Sequence, residues 1–192
     1  ATLKSVDTSE AERLPGVRIV KEGDLVAVLH KHPDNAAEAL GKVKAEFDRP
    51  QSDVDDKTIF DHLLKVAPEG KTVASGGDLK RGAELATGVV EATYLNSYVS
   101  HAPIEPHAAL AKIEGEKATV WASTQNPFGA RDEIARRLEI SSTNVRVITP
   151  FVGGGFGGKT NNQQAVEAAV LAKAAARPVQ VVWTRAEEFF YD

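Results

Sequence analysis

Short runs of apolar residues at alternating or helical spacing divide the chain into two patterned stretches with a polar one between them. Val17 to Val20 and Leu25 to Leu29 are rich in aliphatic and β-branched side chains. The Glu-Gly-Asp within Lys21 to Asp24, between them, predicts a hairpin or tight loop. Pro33, Asp34 and Asn35 then open a helix with Ala36, Ala37, Leu40 and Val43 or Lys44 on a short apolar face, and Ala45 to Asp48 returns to extended chain. From Arg49 to Gly88 the pattern changes to acid-rich QSDVDD, one amphipathic helix with Ile59, Leu63 and Val66 at i, i+4 and i+7, and a glycine-rich connection through Ser75, Gly76 and Gly77. That stretch reads as a surface excursion joining two domains.

The second patterned stretch begins near Val89. Val89 to Val99, with Tyr94 and Tyr98, predicts a strand, and Ala109 to Ile113 with Ala118 to Ala122 predicts a hairpin around Glu114, Gly115 and Glu116. Asn126 and Pro127 fit the N-cap and first position of a helix that buries Ile134 and Leu138 and exposes Glu133 and Arg137 as an i, i+4 pair. Ser141 to Asn144 closes it. A strand over Val145 to Val152, a helix over Gln163 to Ala176 and a strand over Val179 to Trp183 follow, with Glu187 and Glu188 in a turn. The order of elements predicts an α+β layer rather than a bundle.

Between the Val145 to Val152 strand and the helix after it, Val152 to Thr160 reads VGGGFGGKT. Glycine at such density lets the backbone reach φ > 0 and approach a bound group closely, and a helix start beyond it offers N–H donors, so an anionic or oxygen-rich ligand is expected here. Gly153, Gly158, Lys159 and Thr160 also satisfy the P-loop formula. A triphosphate site further needs an acid at the end of another strand to hold magnesium, and Val179 to Trp183 ends instead in Thr184 and Arg185. A plain strand-to-helix turn without ligand is the third reading.

Composition removes several function classes. Lys plus Arg number 23 against 27 Asp plus Glu, a net charge of −4, with no basic run or basic aromatic stripe, so nucleic acid is not the expected partner. No apolar stretch approaches the ~20 residues of a membrane span, and ATLKSVDTSEAE lacks the features of a signal peptide, so a soluble protein of undetermined compartment is expected. Cysteine is absent, which excludes thiolate, disulfide and iron–sulfur chemistry from these residues. Methionine is absent too, even at position 1, so the chain reads as a piece of something longer, as does its stop at FFYD just after a strand.

Four stretches, in order, resemble the molybdenum-cofactor-binding subunit of the xanthine dehydrogenase and aldehyde oxidase family. They are HAPIEPHAALA (His101 to Ala111), WASTQNPFGARDEIARRLEI (Trp121 to Ile140), VITPFVGGGFGGKT (Val147 to Thr160) and PVQVVWTRAEEF (Pro178 to Phe189). The resemblance is strongest to the isoquinoline 1-oxidoreductase and bacterial aldehyde dehydrogenase type. It implies that residues 1–48 are part of an α/β hammerhead domain, 49–84 a linking excursion and 85–192 the first part of the cofactor-binding domain. It implies a molybdopterin-type molybdenum cofactor beside Gly155, Phe156, Gly157 and Gly158, with Gln125 donating its amide to an oxo ligand of the metal and no protein ligand on the metal itself. From the residues alone, Gln125 reads first as a cap for the helix at Asn126.

The resemblance further implies an oxidoreductase that hydroxylates an aldehyde or N-heterocycle and passes electrons to an iron–sulfur partner; a P-loop nucleotide-binding protein and a non-catalytic interaction or assembly domain are the alternative readings. Purine-acting members typically carry an acid directly after the loop lysine, whereas here Thr160 follows Lys159. The family's catalytic base, a distal Glu, has no counterpart, so no catalytic residue is assigned. The chain alone is expected to be inactive and not to retain the cofactor without the remainder of its subunit. Glu105, in a Pro-flanked turn, is read as an anchor for backbone N–H groups. Lys159 is placed near the domain surface or neutralising local charge. His101, His107, His30 and His32 are read as surface or packing residues rather than metal ligands.

Overall fold

The computed structural model describes residues 2–191. Contacts divide the chain into two compact units, one of Ala1–Asp48 with Val99–Asp192 and the other of Arg49–Tyr98. In chain order the first unit starts with β1 (Thr2–Asp7), α1 (Ser9–Glu12), β2 (Arg18–Glu22), β3 (Leu25–Leu29), α2 (Pro33–Leu40) and β4 (Lys44–Asp48). β2 and β3 form the expected hairpin, Glu22 opposite Leu25, with Gly23 at φ +62° in the turn. β4 pairs antiparallel with β1, a strand the sequence did not announce because TLKSVD carries only Leu3 and Val6 as large apolar residues. In α2 the buried residue is Ala39, while Leu40, expected on the apolar face, is half exposed.

The second unit holds α3 (Ile59–Val66) and α4 (Leu79–Leu85). The amphipathic helix is where its spacing put it, although none of its residues is buried. The strand expected over Val89 to Val99 is not formed: the segment is coil, with Tyr94 85% exposed. Strand propensity reports fitness for a half-buried pleated surface, and no paired strand of this unit offers one among the described residues.

The rest of the first unit contains β5 (Ala108–Glu114), β6 (Lys117–Ala122), α5 (Pro127–Leu138), β7 (Val145–Ile148), α6 (Gln163–Ala175), β8 (Val179–Val182) and α7 (Arg185–Tyr191). One four-stranded sheet has the order β7-β6-β5-β8, antiparallel except for β6 with β7, which α5 links as a crossover. Small side chains make the core. Ala109 and Ala111 of β5 and Ala118, Val120 and Ala122 of β6 face Ala165, Ala168, Ala169 and Ala172 of α6, with Ile134 and Leu138 of α5 beside them. Alanine on both sides lets the helix backbone lie close to the sheet and leaves few alternative rotamers. The β2–β3 hairpin joins this core through Val20, and Arg18 donates to Ala174 and Ala175 carbonyl oxygens, covering the C-terminal carbonyls of α6.

Three features differ from expectation. β7 stops at Ile148 rather than continuing to Val152, because Pro150 has no N–H to give a ladder. Glu133 is half-buried and accepts from Asn162 Nδ2 at 3.4 Å instead of standing exposed opposite Arg137. Glu187 and Glu188 lie in a helix, α7, not in a turn, so the chain does not stop straight after a strand. The signal was present: Thr184-Arg-Ala-Glu187 is a capping box, in which Thr184 Oγ1 accepts from Glu187 N at 3.2 Å and Thr184 N donates to Glu187 Oε2 at 2.6 Å.

Candidate functional site

Two exits from the sheet are stitched together at the glycine loop. Where β6 ends, Thr124 donates its hydroxyl to Asn162 Oδ1 at 2.7 Å and accepts from Asn126 N at 2.9 Å; both Thr124 and Asn162 are buried. Gln125 N donates to Lys159 O at 2.8 Å, and Gln164 Nε2 reaches Ser123 O at 3.4 Å. The polar residues of Ser123 to Asn126 thus serve as the floor on which residues 157–164 rest. In low-dielectric surroundings such paired groups fix geometry, since leaving any one unpaired costs about 1–3 kcal/mol.

The loop's glycines are required by contact at two positions. A Cβ on Gly155 would sit 2.4 Å from Gln125 Oε1, and one on Gly153 would sit 2.7 Å from the Glu105 Cβ. Gly154 and Gly157 are held at φ +94° and +112°, where L side chains are strained. Phe156, the one non-glycine between them, also has positive φ, and its ring is 74% exposed at the loop's tip. The N–H groups of Gly153, Gly157, Gly158 and Thr160 are taken by Glu105 Oε2, Gln125 Oε1, Gly155 O and Gly157 O. Those of Gly154, Gly155 and Phe156 have no acceptor among the described residues.

Gln125 therefore turns its oxygen to Gly157 N at 3.0 Å, and its Nε2 donors, on an exposed side chain, are uncommitted among the described residues. It does not cap α5. That role belongs to Asn126, whose Oδ1 accepts from Gly129 N at 3.0 Å. Consecutive open backbone donors beside an amide donor fit an anionic or oxygen-rich group, and a side chain at Gly155 would fill the space between loop and Gln125. The residues present fit an oxo-bearing cofactor.

Two expectations change. The donors do not come from the start of the next helix: a 3-10 turn over Gly158–Thr160 and the pair Asn161, Asn162 precede α6, and Asn161 Oδ1 caps Gln163 N at 3.0 Å. Lys159 is not near the surface. It is 0% exposed, and its Nζ donates to Glu105 Oε2 at 2.6 Å, so it does neutralise local charge, but it is spent on that carboxylate and cannot reach out to a phosphate as a P-loop lysine does. Thr160 is exposed, and its Oγ1 donates back to Gly157 O at 2.8 Å.

Glu105 anchors backbone as expected, accepting from Gly153 N at 2.9 Å. Burial works against its charged form, but the hydrogen bond and charge of Lys159, with the Gly153 N–H, outweigh it and hold the carboxyl below the usual carboxylate range. A carboxyl depressed in the folded state stabilises above its unfolded value, and that contribution is lost as pH falls through the folded one. The loop anchor should therefore persist below the ordinary glutamate value of 4.5. The Gly153 amide shift, followed by NMR through an acid titration, should show its midpoint below that value. A midpoint at or above it contradicts the pairing.

Sequence reasoning did not find the group that fixes the neighbouring turn. His107 is a packing residue, buried, its N and Nδ1 both held by Glu188 of α7 at 2.7 and 3.0 Å and its ring against Trp183. Arg185 Nη2 donates to the Pro103 and Ile104 carbonyl oxygens at 2.6 and 3.0 Å. His30 Nδ1 accepts from His32 N at 3.0 Å, a local contact. No helix among the described residues is long and apolar enough to cross a membrane.

The sequence profile of the molybdopterin cofactor-binding domain matches residues 64–192. The aldehyde oxidoreductase molybdenum-binding subunit PaoC of Escherichia coli K12 is 31% identical over 214 residues, covering 95% of this chain and 29% of that protein. A nicotinate dehydrogenase subunit of Pseudomonas putida is 28% identical, covering 100% of this chain and 16% of that protein. The chain thus spans less than a third of the length of either relative. Among solved structures, aldehyde oxidoreductase from Desulfovibrio gigas superposes with a TM-score of 0.78 at 20% identity, over 100% of this chain and 26% of that one, a likeness of fold. By the profile match and these relatives, the chain belongs to the molybdopterin cofactor-binding domain family of the xanthine dehydrogenase and aldehyde oxidase group of oxidoreductases.

Proposed function

We propose that this chain supplies the oxo-facing wall of the cofactor site in a larger molybdenum hydroxylase that oxidises an aldehyde or an N-heterocycle and passes electrons to an iron–sulfur partner. The observation that carries it is the run of N–H donors at Gly154, Gly155 and Phe156 that are unpaired among the described residues, beside the Gln125 Nε2, which likewise makes no hydrogen bond among them. When bound, the molybdenum cofactor supplies the two-electron redox chemistry. The chain's own residues would hold and orient that group: Gly155 to Gly158 would bring backbone against it, Gln125 would donate its amide to one of its oxygens, and Phe156 would cover the approach. Thr160, neutral and turned to Gly157 O, offers no acid to read a purine, which favours aldehydes and other N-heterocycles. The named substrates of the two relatives, an aldehyde and nicotinate, are of those classes.

In this reading residues 1–48 are part of an α/β hammerhead, 49–84 the excursion and 85–192 the start of the cofactor domain, within the isoquinoline 1-oxidoreductase type. The general base comes from outside these residues, so the isolated chain is inactive and releases the cofactor. Elemental and pterin analysis tests this: the longer protein carrying this sequence should hold stoichiometric molybdenum and the 192-residue chain substoichiometric amounts. Micromolar, magnesium-dependent ATP binding to the chain, abolished by Lys159→Ala, would overturn the reading in favour of a nucleotide site.

A further inference from the structure

Both ends of the donor cradle converge on a single atom. Gly153 N, where the loop begins, donates to Glu105 Oε2 at 2.9 Å, and Lys159 Nζ, where it ends, donates to the same oxygen at 2.6 Å. Glu105 N returns a bond to Gly153 O at 3.2 Å, so the turn and the loop entrance are paired in both directions. Residues 154–158, which carry the open donors, are thus a short loop pinched shut at its base. The turn that provides the carboxylate is itself held on either side of Glu105: Arg185 grips the carbonyls of Pro103 and Ile104, and Glu188 grips His107 N.

We propose that Glu105 and Lys159 are a positioning pair for the cofactor-facing N–H groups, acting through closure of the loop rather than by touching the bound group; the consequence for cofactor rests on the function proposed above. The two partners are not equivalent. Lys159 is 0% exposed and Glu105 Oε2 is the acceptor its Nζ has among the described residues, whereas the Glu105 side chain is 37% exposed. Removing the carboxylate leaves an ammonium buried without a counter-charge, which breaks the pinch and pushes the loop's end outward. Removing the ammonium leaves a carboxylate that water can reach and that still accepts from Gly153 N.

Hydrogen exchange on the longer protein carrying this sequence, read by mass spectrometry, separates these. Glu105→Gln should speed exchange over residues 153–160 by about tenfold or more, while peptides from α5 and α6 stay within about twofold of wild type. Lys159→Met should loosen the same segment far less, and Glu105→Gln combined with Lys159→Met, which removes the buried charge, should be less loose than Glu105→Gln alone. Loop exchange within twofold of wild type in Glu105→Gln, or equal loosening by both single variants, overturns the pinch. If Glu105→Gln does not fold, the double variant decides, and wild-type loop exchange in it is the overturning result. Molybdenum content of the longer protein carries the second half: Glu105→Gln should lower it severalfold. An unchanged content with a loosened loop overturns the positioning role, whereas a wild-type protein without molybdenum sinks the cofactor reading and leaves the exchange result to decide the pinch by itself.

Discussion

Glu188→Ala should lower the free energy of unfolding by about 2–4 kcal/mol, because it strips the acceptor from buried His107 donors, each costing about 1–3 kcal/mol when left unpaired. Glu188 is buried on α7, and its carboxylate takes both the backbone N–H of His107, at 2.7 Å, and the ring Nδ1, at 3.0 Å. His107 Nε2 already has no partner among the described residues. Truncation would leave the His107 backbone N–H and ring Nδ1 without their acceptor in a spot walled by Trp183, whose backbone N–H holds the His107 carbonyl and whose ring stacks on Tyr191 with centroids 4.7 Å apart. Glu188→Gln keeps an acceptor oxygen for the backbone N–H and should cost less than half as much. Urea denaturation followed by tryptophan fluorescence measures both. A loss under about 1 kcal/mol for Glu188→Ala would mean that the pair does not hold the turn to α7.

That pair marks where sequence reasoning stops. Elements whose cause is local were legible: the β2–β3 hairpin from Glu22-Gly23-Asp24, the β5–β6 hairpin from Gly115, and α5 from Asn126 and Pro127, because cap and turn chemistry acts within a few residues. The capping box at Thr184 and Glu187 was equally local and went unread. Val89 to Val99 failed for the opposite reason, since its strand-like composition needs a neighbouring ladder that no local signal guarantees. At the site, the glycine loop stood out through its own composition, Gln125 through family resemblance, and Glu105 through its Pro-flanked turn. That Glu105 closes on Lys159, 54 residues away, or His107 on Glu188, 81 away, is a consequence of chain topology that no spacing encodes.

Gln125→Ala and Gln125→Glu, made in the molybdenum-loaded longer protein, should have different effects on structure and the same effect on turnover. This rests on the proposed cofactor. Alanine removes both the acceptor for Gly157 N and the Nε2 donor; glutamate keeps an oxygen for Gly157 N while replacing the donor by a second, negatively charged acceptor. The bond to Gly157 lies on an exposed side chain, so its loss should cost about 0.5–1.5 kcal/mol of stability in the alanine variant and little in the glutamate one. A preorganised donor aimed at an oxygen that gains charge in the transition state is worth about 2.7–4 kcal/mol in oxyanion sites, or roughly 100- to 1000-fold in turnover. Both variants should approach that loss, with glutamate at least as impaired as alanine because it adds repulsion. Denaturant midpoints and turnover numbers normalised to bound molybdenum read the two effects separately. If the glutamate variant turns over within about twofold of wild type, Gln125 serves only to hold Gly157, and the donor half of the proposed site is wrong.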